Sequence, residues 1–442
     1  MRTPPAISWS DLAGAEVGVW GLGVEGSANV RRLRALGVVP VLVDDRPPPG
    51  PVEGLEVLAT ASGGLEALRR CDAVLKTPGI SRYRPEVTEL WHQGVPVLGG
   101  LGLWLQGVDR SRVLVVTGTK GKSTTVAVAA HLARRLGRRT EVAGNIGRVP
   151  YDPADPVDEP DLWVVEVSSF QATDLTSSPP VVAVTSLHPD HLDWHGDADT
   201  YFADKLSAAS GPGARVTVAD ATSPALRARQ DLLGPEVRWV GDDDAGGEPW
   251  LDQLGLAGAH NRRNARIARE ALVALGVEGA DDDEALSSAA RGFTPLPHRL
   301  EHLGTVAGVA FVDDSLSTNV LPTQAALEAM GDRRVALVVG GFDRGIDYQP
   351  LAETLAARRA PTAVFTLPAN GPRIAEAVRQ AGPLPVEDCA DLPGAVAAAY
   401  AWARPDGVVL LSPAAPSFGQ FADYRERSAA FAEAMAACRA GS

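Results

Sequence analysis

Short apolar runs alternate with longer amphipathic segments along most of the chain. Residues 16–20 form the first apolar run, which predicts a strand, and a glycine-rich turn at residues 21–26 follows it. Residues 27–36 have the spacing of a helix, and residues 38–43 predict a second strand that ends at Asp44. Strands that alternate with helices are typical of a parallel sheet with helices on its faces. The pattern predicts an α/β protein, and a length of 442 residues is typical of about three domains.

A second unit of strand, turn and helix lies near residue 120. Residues 113–117 predict a buried strand, residues 118–124 read Gly-Thr-Lys-Gly-Lys-Ser-Thr, and residues 124–134 predict a helix. Backbone N–H groups of such a turn, together with the helix N-terminus, bind phosphate, and Lys122 can reach the outer phosphates of a triphosphate. A hydroxyl that follows this lysine can join the ligands of Mg²⁺. The loop is shorter than the common Walker pattern, because two residues rather than four separate its glycines.

Composition and charge narrow the class of protein. A formal net charge of −14 argues against binding of nucleic acid through the net field. The three cysteines are widely spaced, which suits a reducing compartment and excludes a cysteine metal cluster. No apolar run approaches 18 residues, and the first five residues lack the apolar core of an export signal. We expect a cytoplasmic, monomeric enzyme that has neither nucleic acid nor a membrane as a partner.

The first hundred residues carry a nucleotide-binding pattern of their own. The turn at residues 21–26 lies between a strand and a helix, and acidic residues stand at the end of the next strand, which is the βαβ fingerprint of dinucleotide sites. Taken alone, the fingerprint indicates NAD. A helix N-terminus binds the diphosphate of a UDP-sugar equally well. The separate triphosphate loop downstream favours the UDP interpretation. Residues 73–81 predict another strand, which closes on a Pro-Gly turn.

Candidate metal ligands follow the triphosphate loop. Glu166 ends a predicted buried strand, where a carboxylate can bind Mg²⁺, although a buried structural glutamate is the alternative. Residues 188–196 contain three histidines and two aspartates, which also allows a zinc site. The hard oxygen ligands elsewhere favour Mg²⁺. Tyr201 and Lys205 lie one turn apart on a predicted helix, and taken alone Lys205 would be a solvated lysine. Residues 256–264 open another helix, whose Asn261 and Asn264 side chains suit either an adenine edge or, for Asn261, a helix cap.

These motifs together resemble the Mur ligases over nearly the whole chain. The resemblance rests on residues 118–124, Glu-Val-Ser-Ser-Phe-Gln at 166–171, Asp-His-Leu-Asp-Trp-His at 190–195, residues 201–205, His-Asn-x-x-Asn at 260–264, His-Arg at 298–299 and Asp-Ser at 314–315. The ending with Ser412-Pro413, Ser417 and Tyr424 resembles the branch that adds glutamate to UDP-N-acetylmuramoyl-L-alanine. The resemblance implies three α/β domains: Rossmann-like at residues 1–107, P-loop ATPase-like with a parallel sheet at 108–293, and Rossmann-like at 294–442.

The resemblance also implies a set of functional residues. The UDP-substrate would contact Gly21, Leu22, Gly23, Gly26, Asp44, Asp45, Arg46, Thr77, Asn145, Gln171 and His191. ATP would contact Gly118, Thr119, Lys120, Gly121, Lys122, Ser123, Thr124, Asn261, Asn264, Arg299 and Asp314. Mg²⁺ would be held by Ser123, Glu166, His191 and Lys205, with Lys205 carbamylated. Lys122, His191 and Lys205 would be catalytic, and the reaction would pass through an acyl phosphate.

Departures from the family pattern gather in the third domain. The family's Asp-Ser-Lys-Ala-Thr-Asn appears as Asp-Ser-Leu-Ser-Thr-Asn at 314–319, its Gly-Gly-x-x-Lys has Arg344, and its Ser-Pro-Ala-Cys-Ala-Ser appears as Ser-Pro-Ala-Ala-Pro-Ser at 412–417. The resemblance assigns the glutamate to these loops, through Leu316, Thr318, Arg344, Ser417 and Tyr424. Enantiomers carry identical groups in a different arrangement, so relocated cations suit a change from D- to L-glutamate. We expect L-glutamate, as in the variant branch that works with a partner epimerase, and D-glutamate is the alternative.

Three other functions are weighed against this one. A folylpolyglutamate synthetase would share the triphosphate loop but does not need an N-terminal UDP domain. An ATP-binding regulator would not need the candidate Mg²⁺ ligands, and a dehydrogenase would leave the triphosphate loop unexplained. The sequence therefore favours an ATP-dependent ligase.

Overall fold

The computed structural model describes residues 7–242 and 248–440. The first five residues, in which no export signal is expected, lie outside the described ranges. The described chain contains three sheets, and helices connect most of their strands. The predicted class is confirmed: the protein is α/β with three domains, although the limits of 107 and 293 between the domains stay a prediction.

The first sheet consists of five parallel strands in the order β3-β2-β1-β4-β5. Its elements are β1 (Val17–Trp20), α1 (Val24–Ala35), β2 (Val41–Asp44), β3 (Val57–Ala59), α2 (Leu65–Leu68), β4 (Ala73–Lys76), α3 (Pro85–His92), β5 (Val97–Leu98) and α4 (Gly100–Gly107). The helix α1 begins three residues earlier than the sequence predicts, because Gly23 already serves as its N-cap. The strand β2 begins later than predicted, because the N–H of Val38 still donates to Leu33 O at the end of α1.

The second sheet consists of six parallel strands in the order β11-β10-β9-β6-β8-β7. Its strands are β6 (Val113–Thr117), β7 (Thr140–Gly144), β8 (Leu162–Glu166), β9 (Val181–Val184), β10 (Val216–Asp220) and β11 (Glu236–Val240). The helices are α5 (Lys122–Arg135), α6 (Ser169–Ala172), α7 (Leu192–His195), α8 (Ala198–Ser210), α9 (Pro224–Arg227), α10 (Pro249–Gln253), α11 (Ala259–Ala274) and α12 (Asp283–Ala290). The strands β6 and β8 are buried along their whole length, as the apolar runs predict.

The third sheet has six strands in the order β12-β13-β17-β14-β15-β16. Only β12 is antiparallel to its neighbour. The strands are β12 (Glu301–Val306), β13 (Val309–Asp313), β14 (Val335–Val339), β15 (Thr362–Thr366), β16 (Val386–Asp388) and β17 (Val408–Leu411), and the helices are α13 (Val320–Ala329), α14 (Gln349–Ala357), α15 (Gly371–Ala381), α16 (Leu392–Ala403) and α17 (Tyr424–Ala440). Two separate apolar clusters line this sheet, one that includes Phe311 and Phe431 and one that includes Leu337 and Leu351.

The chain divides into two compact units. One runs up to Leu254 and takes in Arg263–Phe293, so it contains the first two sheets. The other comprises Gly255–Arg262 and the chain from Thr294 onward, and it contains the third sheet. Within the first unit, one apolar cluster joins both sheets, since it includes Leu75 of β4 and Val115 of β6. None of the helices in the described ranges is long and apolar enough to cross a membrane.

Candidate active site

The glycine loop between β6 and α5 is fixed by bonds from neighbouring elements. Gly121 precedes the helix with a left-handed backbone (φ +92°), and a Cβ added there would lie 2.5 Å from Asn264 Oδ1. Thr119 Oγ1 lies 2.9 Å from the Tyr201 hydroxyl and accepts from the backbone N–H of His188 at 3.0 Å. The loop therefore leads into a 14-residue helix in a defined conformation, and the N–H groups of Thr119 and Lys120 are themselves bound by Ser186.

The Lys122 side chain folds over this loop. Its Nζ donates to the carbonyl oxygens of Gly118 at 2.9 Å and Thr119 at 3.2 Å. An ionised phosphate is a stronger acceptor than a neutral carbonyl, and partial burial strengthens the attraction further. Lys122 is therefore placed to bind an anion that enters the loop.

Lys205 is buried beneath the same loop. It lies one turn after Tyr201 on α8, and its Nζ donates to Gly118 O at 3.0 Å. Burial lowers the pKa of the Lys205 amine well below that of an ordinary lysine, and the nearby positive charge of Lys122 lowers it further. Its amine is thus uncharged far more often than that of a solvated lysine, and an uncharged amine is a nucleophile. Without the resemblance, the sequence would have suggested a solvated side chain here, and that reading is wrong.

Glu166 offers a carboxylate oxygen that the protein does not satisfy. Its Oε1 accepts from Asn145 Nδ2 at 2.7 Å, whereas its Oε2 is buried and has no hydrogen-bond partner among the described residues. Glu166 is paired with Val116 across β8 and β6, so it lies beside the strand that enters the loop. A buried carboxylate oxygen without a donor is costly unless a cation binds it. With the buried Ser123 at the start of α5, this oxygen fits a hard cation such as Mg²⁺.

Lys120, Asp190 and His191 form the other side of this cluster. Lys120 Nζ lies 3.1 Å from Asp190 Oδ2, and His191 Nε2 lies 3.9 Å from the same oxygen. Burial lowers the pKa of His191, the charges of Lys120 and Lys205 lower it further, and Asp190 opposes them. A neutral imidazole is the form that can bind a cation.

The histidine-rich segment does not form a zinc site in the part of the chain that the structure describes. His195 is buried, with Nδ1 2.6 Å from Asp204 Oδ2 and Nε2 3.0 Å from Ser169 Oγ, so both of its ring nitrogens are occupied. In the described ranges, the cluster of three potential metal ligands lies elsewhere, at His298, Glu301 and Asp313 of the second unit. The alternative of zinc at residues 188–196 is therefore not supported.

The predicted UDP residues of the first sheet come together at the ends of β1, β2 and β4. Asp44 closes the glycine turn, because its carboxylate accepts from the backbone N–H groups of Leu22 and Arg46, both at 2.8 Å. A Cβ on Gly26 would lie 2.0 Å from Gly21 O, so only glycine allows this approach of helix to turn. Thr77 lies against the same turn, since a Cβ on Gly21 would fall 2.2 Å from its Oγ1.

Two predicted UDP contacts have other partners in this structure. Gln171 Nε2 donates to Glu25 Oε1 at 2.7 Å, which joins α6 to the first turn of α1. Asn145 pairs with Glu166, so it lies in the candidate Mg²⁺ cluster. The roles of both residues in substrate binding stay predictions.

The three loops predicted to bind glutamate lie together in the second unit. We call residues 313–319, 340–344 and 412–417 the pocket loops. Ser412 Oγ donates to Asp314 Oδ2 at 2.7 Å, and the N–H of Phe342 donates to Pro416 O at 2.9 Å. Burial raises the pKa of Asp314 to about 6, although its hydrogen bonds oppose this shift.

The residues predicted to bind glutamate differ in exposure. Arg344 is exposed, Ser417 is buried, and Leu316, Thr318 and Tyr424 are half-buried. The Tyr424 ring lies 5.5 Å from that of His298. Asn261, Arg299 and Asp314 also belong to this second unit, and their contribution to nucleotide binding stays a prediction.

A protein-family model matches the part of the chain that contains each of the three sheets. The Mur ligase MurD-like N-terminal domain matches residues 15–99, the Mur ligase middle domain matches 116–245, and the Mur ligase glutamate ligase domain matches 298–415. The UDP-N-acetylmuramoyl-L-alanine--L-glutamate ligase of Xanthomonas euvesicatoria pv. vesicatoria is 39% identical, and the alignment covers 96% of each chain. The enzyme of the same name from a Micromonospora species is also 39% identical, over 96% of this chain and 97% of the relative. The chain belongs to the Mur ligase family.

Solved Mur ligases share the fold. The UDP-N-acetylmuramate-alanine ligase of Thermotoga maritima is 17% identical with a TM-score of 0.57, and the alignment covers 96% of this chain and all of the other. A MurF ligase of Thermotoga maritima in complex with ADP is 13% identical with a TM-score of 0.57, over 98% of this chain and 97% of the other. At these identities the likeness concerns the fold alone.

The lysines of this Mur ligase are concentrated at the site. The sequence contains four lysines among its 41 basic residues, at positions 76, 120, 122 and 205. Lys120 and Lys122 are in the glycine loop, and Lys205 lies beneath it. Since arginine provides the cations almost everywhere else, the few lysines mark positions where a compact ammonium or a free amine is needed. This signal was available in the sequence and could have drawn attention to Lys76.

Lys76 and Arg84 make contacts beside the predicted UDP residues that the sequence analysis did not anticipate. Lys76 is buried at the end of β4, and its Nζ lies 2.5 Å from Asp174 Oδ2 beyond α6, so an ion pair connects the first two sheets. The Arg84 guanidinium lies over the Trp20 ring at 4.9 Å and 2.6 Å from Asp45 Oδ2. Neither pairing could be read from the sequence, because the partners are 98 and 39 positions apart.

Glu25 of this Mur ligase should make stability depend on pH. Burial raises the pKa of Glu25 from 4.5 to about 7. The folded state therefore binds an extra proton between pH 4.5 and 7, and that source of stability is lost as the pH rises through 7. Glu25→Gln keeps an acceptor for Gln171 without the buried charge. We expect the free energy of unfolding of the variant to match that of wild type at pH 5 and to exceed it by up to about 3 kcal/mol at pH 8. Urea unfolding at both pH values measures this difference.

The exposed Glu56 provides the matched control for this experiment. Glu56→Gln should follow the wild-type stability at both pH values. If Glu25→Gln is no more stable than wild type at pH 8, the pKa of Glu25 is not raised in the folded state.

Proposed function

We propose that this Mur ligase joins glutamate, in its L form, to UDP-N-acetylmuramoyl-L-alanine with ATP as the energy source, as a step of peptidoglycan precursor synthesis. The observation that carries the proposal is the convergence of Lys122, Lys205 and Glu166 on one glycine loop. The substrate is inferred from the relatives, which bear the name of this reaction and align with almost the full chain. Products are ADP, phosphate and the new amide.

The glycine loop would hold the phosphates of ATP. N–H groups at the start of α5 and the Lys122 ammonium would offset the negative charge of the phosphates. Asn264 lies against Gly121, which supports a position near the nucleotide. Gly118 to Thr124 would form the remaining contacts.

Mg²⁺ would be held by the oxygen of Glu166 that lacks a partner, together with Ser123, His191 and carbamylated Lys205. The ion would reduce the electrostatic repulsion between two anionic substrates. The buried and unpaired Oε2 atom supports this role independently of the family resemblance. Glu166 is held in place by its bond from Asn145.

A carbamate on Lys205 is consistent with the chemistry of its surroundings. The uncharged amine would attack carbon dioxide, forming an N–C bond and releasing a proton, and the product is an anionic oxygen ligand. Burial favours the uncharged amine, whereas nearby Lys120 and Lys122 would stabilise the carbamate anion. The modification would thus exchange a buried amine, whose charged form is disfavoured, for an anion near two cations.

The reaction would proceed in two steps. A carboxylate oxygen of the alanyl group attacks the γ-phosphorus, ADP leaves, and an acyl phosphate forms. The uncharged amine of glutamate then attacks the acyl carbon, phosphate leaves and the amine loses a proton. Lys122 would stabilise the phosphoryl charge, and the fixed loop would align the reactants.

L-glutamate is favoured over D-glutamate by two features. The relatives at 39% identity are named for L-glutamate, and the pocket loops of this chain carry Leu316 and Arg344 where the wider family has lysines. A product with L-glutamate would require an epimerase as a functional partner if the D configuration is needed later. We place the reaction in the cytoplasm, where ATP is present, and the three cysteines are unpaired.

Phosphate release tests the proposed function. The purified protein is given ATP, Mg²⁺ and UDP-N-acetylmuramoyl-L-alanine, with L-glutamate, with D-glutamate or with no amino acid. We expect fast release with L-glutamate alone. Faster release with D-glutamate would contradict the stereochemical part of the proposal, and no release with either enantiomer would contradict the substrate.

A further inference from the structure

Arg427 is a fully buried arginine in the first turn of α17. Its Nη2 donates to Ser315 O at 2.8 Å, and its Nη1 donates to Ala415 O at 3.1 Å. These two carbonyls belong to different pocket loops. A Cβ added to Gly341, in the remaining pocket loop, would lie 3.2 Å from Nη1. One guanidinium group therefore bonds to two of the pocket loops and lies beside the third.

The neighbours of Arg427 on α17 reinforce this arrangement. Ser428 Oγ donates to Asp313 Oδ2 at 2.6 Å, and Asp313 Oδ1 accepts from the N–H of Ser315 at 3.0 Å. Tyr424, one turn earlier, is predicted to contact the amino acid. The first turn of α17 thus reaches the loop at 313–319 through two side chains, so the position of that loop depends on this helix.

The charge of Arg427 is only weakly compensated. Burial lowers its pKa to about 10, with Asp313 opposing, so the side chain remains a cation at neutral pH. Its Nε is buried and has no hydrogen-bond partner among the described residues. A buried cation with neutral carbonyl partners raises the local potential, which favours a dicarboxylate in front of it.

We propose that Arg427 is the positioning residue of the amino-acid pocket: by bonding to two pocket loops beside the third it fixes the geometry that distinguishes L-glutamate from D-glutamate. This inference rests on the proposed function. The enantiomers differ only in the arrangement of their charged groups, so discrimination requires loops that keep fixed relative positions. A guanidinium fork can bridge two carbonyls in one plane, which a lysine ammonium cannot do in the same geometry.

Arg427→Lys tests the inference, because it keeps the charge and removes the fork. We expect the ratio of kcat/KM for L-glutamate to that for D-glutamate to fall about tenfold, mainly through KM for L-glutamate. The KM for UDP-N-acetylmuramoyl-L-alanine should stay within about twofold of wild type, since none of its predicted contacts is on the pocket loops. The KM for ATP should change less than that for L-glutamate, because Asp314 alone of its predicted contacts is on these loops. Arg439→Lys, at an exposed position of the same helix, is the matched control and should leave all constants unchanged.

Each outcome decides the question. A variant that loses stability but keeps the enantiomer ratio would overturn the inference and leave Arg427 as a structural residue. Equal changes in all three KM values would overturn it too. If Arg427→Lys does not fold, Ser428→Ala, which removes the adjacent bond to Asp313, should lower the ratio about threefold, and an unchanged ratio would contradict the proposal. A wild-type enzyme that uses neither enantiomer would instead refute the proposed function, and with it this inference.

Discussion

Replacing Lys122 by methionine should lower kcat/KM for ATP by about 10³-fold, which is the effect of removing one buried electrostatic donor from a preorganised site. Methionine has a similar length and removes only the ammonium. In the structure that ammonium donates to two loop carbonyls, Gly118 O and Thr119 O, which are neutral acceptors, and we expect the fold to persist without it. Phosphate release under saturating glutamate measures the effect.

The control for this variant is Arg135→Met. Arg135 is an exposed cation on α5, the helix that Lys122 begins. Its replacement changes the net charge by the same amount and should alter kcat/KM by less than about twofold, because surface charges contribute little. A loss of kcat/KM of similar size in both variants would show that it comes from the change in net charge rather than from a lost contact with phosphate.

Replacing Lys205 by methionine should lower kcat by at least about 100-fold and abolish a carbamate signal. Wild-type enzyme equilibrated with ¹³C-bicarbonate should show one carbamate resonance, which the variant lacks. The assignment is tractable because the chain has only four lysines. The variant should also be no less stable than wild type in the absence of bicarbonate, since it removes a buried amine whose charged form is disfavoured.

Two results would contradict the role given to Lys205. Full activity of Lys205→Met would exclude a catalytic contribution. An active wild-type enzyme without a carbamate resonance would separate the activity from the modification. The melting temperatures of both proteins should be compared first, because Lys205 also donates to Gly118 O and so supports the loop.

The order of strands and helices could be predicted because it depends on local patterns. Apolar runs of five residues, such as residues 113–117 and 162–166, are buried strands in the structure, and the glycine turns lie where the sequence places them. The predicted starts of α1, β2 and α5 differ from the observed ones by two or three residues. They arise from capping: Gly23 and Gly121 start their helices early, and the end of α1 takes in Val38.

The partners of the site residues depend on contacts between distant parts of the chain. The sequence identified Glu166 as a candidate Mg²⁺ ligand, yet only the structure reveals that one of its oxygens accepts from Asn145 and that the other is buried with no hydrogen-bond partner in the described part of the chain. Likewise, the sequence alone left Lys205 as an ordinary solvated lysine, whereas burial next to Lys122 changes its protonation. Protonation depends on solvent exclusion and on neighbouring charge, which are properties of the folded chain.

The sequence by itself determined the α/β class, the three successive sheets, the glycine loop and the family, because strand and helix periods and short motifs are encoded by adjacent residues. The tertiary structure alone decided that His195 is bound by Asp204 and Ser169 instead of a metal, that Lys76 pairs with Asp174, and that Arg427 joins two of the pocket loops. These pairings connect residues that are 9 to 112 positions apart. No local pattern specifies them, since they result from packing elements whose positions are set by the whole sheet.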